Sequence, residues 1–83
     1  MILLFDIGNT HTHVGLADSR RVLRQINLPT RAWAGGSAKT RVAGLVGAKK
    51  IEGAVLCSVV PRATPLVHNA IRQRWKLRAL ELT

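Results

Sequence analysis

At 83 residues the chain has room for one small domain and excludes a second core. Its 47% apolar content is that of a globular protein, while one Phe, two Trp and no Tyr leave few large side chains to fill the interior. Thirteen Lys and Arg against four acids give a net charge of +9, but the basic residues are scattered, with only Trp75 among them for stacking, which favours a solvated basic surface over a nucleic-acid platform.

Ile2 to Phe5 is a continuous apolar run, the pattern of a strand buried on both faces, and it ends at Asp6. A run this short is neither a signal-peptide core nor a membrane span. Gly8 and Asn9 supply a turn, since Gly accepts positive φ and Asn hydrogen-bonds its own backbone. Thr12 to Ala17 then resumes in extended form and completes a hairpin. Asp18-Ser19-Arg20 predicts a second turn, and Val22 to Leu28 a third strand with one wet face. Pro29 is expected to stop strand pairing, leaving Thr30 to Gly36 as a loop in which Trp33 has no apolar stripe to join.

Ser37 is a candidate N-cap for a helix carrying Ala38, Val42, Leu45 and Val46 on one face, with Gly47 as its stop. Ala54 to Val60 is the next strongly apolar strand, closed by Pro61, and Cys57 within it reads as a small buried apolar residue. As the single cysteine it excludes an internal disulfide and, with His11 and His13, offers no zinc spacing, so a cytoplasmic setting is expected. Thr64-Pro65 reads as an N-cap followed by Pro at the first helical position, ahead of the stripe Leu66, Val67, Ala70, Ile71 and Trp75. Arg72, Arg74 and Lys76 oppose the negative end of that helix. Leu77 to Leu82 is a last short strand. The order β-β-β-α-β-α-β predicts an α/β fold with a mixed sheet. A right-handed crossover sets the strand at Ala54 parallel to the first and brings Asp6 and Ser58 into one crevice at the edge where ligands of open α/β sheets bind.

The segment Asp6-Ile7-Gly8-Asn9-Thr10-His11-Thr12-His13 is the strongest functional candidate. A phosphate needs close, unobstructed donors, which the N–H groups of Gly8, Asn9 and Thr10, the Asn9 amide and the Thr10 and Thr12 hydroxyls can provide. Magnesium takes hard oxygen ligands, often through water, and Asp6 supplies one. The same spacing also fits an ordinary hairpin turn. His11 and His13 alternate on one strand face with no third metal ligand in view, and they read as polar side chains rimming the turn.

Asp6 to Thr10 with Thr12 and Gly15, followed at the matching distance by Cys57-Ser58-Val59-Val60-Pro61 and the Thr64-Pro65 helix, resembles the N-terminal part of type III pantothenate kinases. The resemblance implies a ribonuclease H-like lobe of the actin-like ATPase superfamily, with residues 1–83 as the N-terminal lobe of a longer enzyme. It implies ATP-dependent phosphorylation of pantothenate to 4'-phosphopantothenate at the start of coenzyme A synthesis. Asp6 through His13 would hold the ATP phosphates, with Asp6 orienting magnesium. A monovalent cation (potassium or ammonium), a cytoplasmic homodimer and no membrane association also follow from the family.

The family's Gly-x-Asp-Arg segment with its catalytic Asp, its second phosphate motif and its adenosine pocket match nothing up to Thr83, so no residue here is assigned as catalytic and the isolated chain is expected to be inactive. Relatives tend to be acidic in the loop before the first helix, whereas Arg31 to Arg41 is neutral to basic. The family also contains Bvg accessory factor-like proteins associated with transcription. A non-catalytic regulator, or a remnant binding nucleic acid through its +9 charge, is therefore the alternative.

Overall fold

Strand β1 (Ile2–Ile7) alternates in burial: Leu3, Phe5 and Ile7 are enclosed, while Ile2 and Leu4 remain 39% and 37% exposed and Asp6 faces solvent. A computed structural model describing residues 1–82 explains this alternation through the order of the strands. β1 pairs antiparallel with β2 (His11–Ala17), which pairs antiparallel with β3 (Val22–Pro29). On its other side β1 runs parallel to β4 (Gly53–Ser58), and β4 parallel to β5 (Leu80–Leu82), giving the sheet order β3-β2-β1-β4-β5.

Helix α1 (Ser37–Val46) leads into β4, and α2 (Thr64–Trp75) joins β4 to β5. Both crossovers step across the sheet in the same direction, and with right-handed connections both helices must lie on the same face. The core follows from that placement. Leu3, Phe5, Ile7, Val14, Leu16, Leu28 and Leu56 point from the strands into one cluster with Ala38, Val42, Leu45 and Val46 of α1 and Val67, Ala70 and Ile71 of α2.

The opposite face has no helix over it. Burial of β1 on both faces, expected from its unbroken apolar run, is therefore not found, and Cys57, expected inside, is exposed on the open face. Across that face the register sets Asn27, His13, Asp6, Cys57 and Leu82 in one cross-strand row. Next to it, Leu4, Val22 and Val55 help line a shallow apolar groove of about 300 Å³.

Several boundaries differ from the sequence reading for local reasons. Pro29 does not stop pairing but ends β3 opposite His11, at the last position of a strand lying on the sheet edge, where a missing N–H is tolerated. Residues Thr30–Trp33 form a 3-10 turn instead of an open loop, and Trp33 is buried against Phe5 with ring centroids 5.9 Å apart. The N-cap of α1 is Gly36, at φ 84°, and Ser37 begins the helix. Gly47, at φ 61°, closes α1 as the sequence predicts. The N-cap of α2 is Ala63, so Thr64 opens that helix and its hydroxyl donates back to the Val60 carbonyl at 3.1 Å.

The exposed thiol has a direct chemical consequence. Cys57 will react stoichiometrically with a maleimide in native buffer at a rate within about tenfold of the urea-unfolded chain, since an uncovered strand position needs no opening step. Slowing by about a hundredfold or more, measured by mass spectrometry of labelling time points, would contradict an open face.

Candidate functional site

β1 and β4 end side by side at Ile7 and Ser58, and the Val59 N–H donates to the Ile7 carbonyl at 3.1 Å just beyond. The connection from β1 to β2, Gly8-Asn9-Thr10, projects above this edge. The Gly8 N–H donates to the His11 carbonyl at 2.9 Å and closes the hairpin, leaving the Asn9 and Thr10 N–H groups without a protein acceptor among the described residues. Gly8 has no left-handed φ. Glycine is needed there for space, because a Cβ would come within 3.1 Å of the His11 carbonyl oxygen.

The turn is fastened from beneath by a directional chain of hydrogen bonds. The Thr30 hydroxyl donates to the Gly8 carbonyl at 2.6 Å, so in its 2.9 Å contact with Thr12 it must act as acceptor. The Trp33 indole N–H, a donor only, reaches Thr12 Oγ1 at 3.3 Å. The order is Trp33 to Thr12 to Thr30 to Gly8. A further backbone bond runs from the Thr30 N–H to the Thr10 carbonyl at 2.9 Å. Thr12 and Thr30 are the buried polar residues among those described, and no buried side-chain polar atom among them lacks a partner.

The expected site residues therefore separate into groups. Asn9, Thr10 and His11 are exposed at the tip, and they help line a cleft of about 290 Å³ with Pro29 and Arg31. Ile7 is buried and contributes backbone only. Thr12, expected to face a ligand, is fully buried with its hydroxyl engaged, because position 12 alternates onto the helix-covered face. His13 lies one residue further along, opposite Asp6 on the open face. Asp6 and Ser58 reach the same edge, but strand alternation sends Asp6 to the open face and Ser58 to the other. The Ser58 hydroxyl contacts the Val60 N–H at 3.1 Å and the Val60 carbonyl at 3.3 Å, satisfying the strand end.

The acidic residues show which carboxylate remains free. Asp18 accepts the N–H groups of Arg20 and Arg21, and these bonds hold its carboxyl below the usual aspartate range. Glu52 accepts from the Met1 ammonium at 2.9 Å, and that hydrogen bond likewise lowers its pKa. Glu81 pairs with His68 at 2.9 Å. Asp6 alone has no hydrogen-bonding or ionic partner among the described residues. A solvated, unpaired carboxylate at a strand end fits one ligand of a magnesium ion bound through water.

Sequence reasoning missed Thr30 and Trp33, which hold the turn. The available signal was a tryptophan stranded in a polar segment directly after Pro29, a residue that needed a buried partner elsewhere. It also passed over Arg62, which follows Pro61 beyond the end of β4 and lines, with Arg31, a second cleft beside the turn.

A family model described as type III pantothenate kinase matches residues 2–83. The chain is 41% identical over 88 residues to a type III pantothenate kinase of Nitratidesulfovibrio vulgaris (strain DP4), an alignment covering 98% of this chain and 33% of that protein. It is 35% identical to a type III pantothenate kinase of Oleidesulfovibrio alaskensis, over 96% of this chain and 33% of the relative. A type III pantothenate kinase 1 of Francisella tularensis is 28% identical, over 94% of this chain and 33% of its own length. Among solved structures, the Ppx/GppA family member of Aquifex aeolicus superposes with a TM-score of 0.53 at 12% identity, covering 99% of this chain and 34% of that one. That likeness concerns the fold alone. The chain spans about a third of the length of the curated relatives it matches.

The hydrogen-bond chain beneath the turn can be tested without changing side-chain shape. Thr30→Val removes the donor to Gly8 and the acceptor for Thr12, and will cost about 1–3 kcal/mol in urea unfolding, whereas Thr40→Val on the exposed side of α1 will cost within about 0.5 kcal/mol. The Gly8 amide should exchange with solvent faster in Thr30→Val. Equal stability of the two variants would show that the chain does not hold the turn.

Proposed function

The chain belongs to the type III pantothenate kinase family, and on that premise we propose that it carries the ATP-phosphate part of a pantothenate kinase, which transfers the γ-phosphoryl group of ATP to a hydroxyl of pantothenate. The observation that carries this reading is the fastened Gly8–Thr10 turn with two unpartnered N–H groups, beside the one unpartnered carboxylate of the described residues. The whole activity is proposed for a protein of the relatives' length. In it these residues form a ribonuclease H-like lobe of the actin-like ATPase kind.

Phosphoryl transfer depends mainly on positioning and on neutralising charge, which small donors on a rigid turn can do. The Asn9 and Thr10 N–H groups, the Asn9 amide and the Thr10 hydroxyl donate to phosphate oxygens, and His11 at the rim adds one donor. The Thr12–Thr30–Trp33 chain fixes the turn, so binding a phosphate does not require ordering the donors first. Asp6 would hold magnesium through water, and when bound the ion would supply positive charge that offsets that of the phosphates. With Asp6 in that role, no free carboxylate among the described residues is left as a base for the pantothenate hydroxyl. A monovalent cation, homodimer formation and a cytoplasmic location belong to the same reading of the full-length enzyme. No helix among the described residues is long and apolar enough to cross a membrane.

The 83-residue chain should bind magnesium–ATP without phosphorylating pantothenate. Asp6→Asn should weaken magnesium–ATP binding by about tenfold or more in calorimetric titration while leaving the unfolding midpoint near its original value, because the carboxylate supports no fold contact. Undiminished binding by Asp6→Asn would remove Asp6 from the site. Turnover of pantothenate by the chain alone would overturn the division of roles.

A further inference from the structure

Beside the turn, on the helix-covered side of the sheet edge, lies a cleft of about 340 Å³. Asn9 of the β1–β2 turn and Arg31 of the 3-10 turn line it together with Val60 and Arg62 from the segment between β4 and α2, and Ala63 and Leu66 at the start of α2 form part of its wall. It opens just past the carboxyl ends of the parallel strands β1 and β4, the position where open α/β sheets admit ligands.

The electrostatics of this cleft are one-sided. No acidic residue lines it, and neither Arg31 nor Arg62 has a side-chain hydrogen bond or an ion pair among the described residues. Several other cations of the surface are likewise unpaired, among them Arg20, Arg21 and Arg72, but Arg31 and Arg62 are the two that share one cleft. The first turn of α2 contains no acid to offset its positive end, and Pro65 removes one of its N–H groups without adding an acceptor. Two free guanidiniums, an amide and a positive helix end thus surround one concave space.

We propose that this cleft is a polyphosphate site in which Arg31 and Arg62, brought together from two separate connections, grip phosphate oxygens, with the Asn9 amide as a third donor. The proposal rests on the reading that the Gly8–Thr10 turn faces nucleotide phosphates, and it adds to that turn the two side chains that neutralise the anion's charge. Planar guanidiniums suit this role because each presents two parallel N–H groups to a pair of phosphate oxygens. Arg31 also borders the cleft on the far side of the turn, beside Thr10 and His11, so one side chain serves both sides of a phosphate chain laid across Asn9.

The test uses the intact chain, with inorganic pyrophosphate in the absence of magnesium as the probe, followed by calorimetry and by the amide resonances of Asn9 and Arg62. Arg31→Gln and Arg62→Gln should each weaken pyrophosphate binding by about fivefold, and the double variant by about twentyfold or more. Arg72→Gln, the same charge change in the last turn of α2, should bind as the unsubstituted chain does. Equal weakening by Arg72→Gln would reduce the effect to diffuse attraction by the basic surface and overturn the site, as would the absence of saturable binding. Magnesium–ATP titrations of the same variants separate the two readings. If binding still depends on Asp6 but not on Arg31 or Arg62, the cleft is refuted and the turn stands. If pyrophosphate binding depends on both arginines while magnesium–ATP binding ignores Asp6, the anion site stands and the nucleotide reading of the turn falls.

Discussion

The hydrogen-bond chain from Trp33 through Thr12 and Thr30 to the Gly8 carbonyl is the contact on which the candidate site depends. Through side chains it braces three segments that single backbone bonds also link: the β1–β2 turn, the body of β2, and the 3-10 turn that carries the chain from β3 towards α1. Each member is buried or nearly so, and a buried polar group without a partner costs more than a paired one contributes. The chain is therefore close to all-or-none. With every member in place, the peptide plane after Gly8 is held by its carbonyl, and the N–H groups that follow are presented outward. The packing of Trp33 on Phe5 ties the arrangement into the hydrophobic core, so the geometry of the turn is set by the same residues that stabilise the fold.

A second constraint is topological. Because β1, β4 and β5 are laid down in one direction across the sheet, right-handed connections put both helices on a single face. The consequence is a sheet with a complete core on one side and Ile2, Leu4, Val22, Leu80 and Leu82 uncovered on the other. The edge bearing the turn divides charge in the same way. Asp6 belongs to the open face, while Arg62 lines a cleft on the helix side and Arg31 borders clefts on both flanks of the turn.

How much of this was legible in the sequence depended on whether a feature was local. Strands and helices follow from apolar period and turn residues, and most of their observed bounds fall within a few residues of the expected ones. The turn between Asp6 and Thr10 was legible too, since the glycine and asparagine that build a hairpin turn are consecutive residues. The exposure of Cys57 and of Leu4 was not. An apolar run states that a strand can be covered on both faces, and only the direction of the later crossovers decides whether it is. Thr12 was misplaced for a related reason: a threonine beside a Gly-Asn turn looks like a ligand until the strand register turns it inward. Thr30 and Trp33 are separated from the turn by 22 and 25 positions, and nothing in their own neighbourhood names Gly8 and Thr12 as their partners.

The net charge of +9 takes on a more specific meaning once each acid is located. Asp18, Glu52 and Glu81 are each matched by a nearby donor or cation, so they do little to lower the potential at the sheet edge. Asp6 is the exception, and it stands where a polyphosphate would meet it. Two like charges about 4 Å apart repel by about 1 kcal/mol in water and several times more at a partly enclosed surface. A bare phosphate chain is therefore expected to lean away from Asp6 and towards Arg31 and Arg62, and in the proposed site a divalent cation at Asp6 would turn that carboxylate from a source of repulsion into a support for the same ligand. On the proposed reading, the placement of these three charged side chains, more than the total charge, would set the preference of this edge for an anion accompanied by a metal.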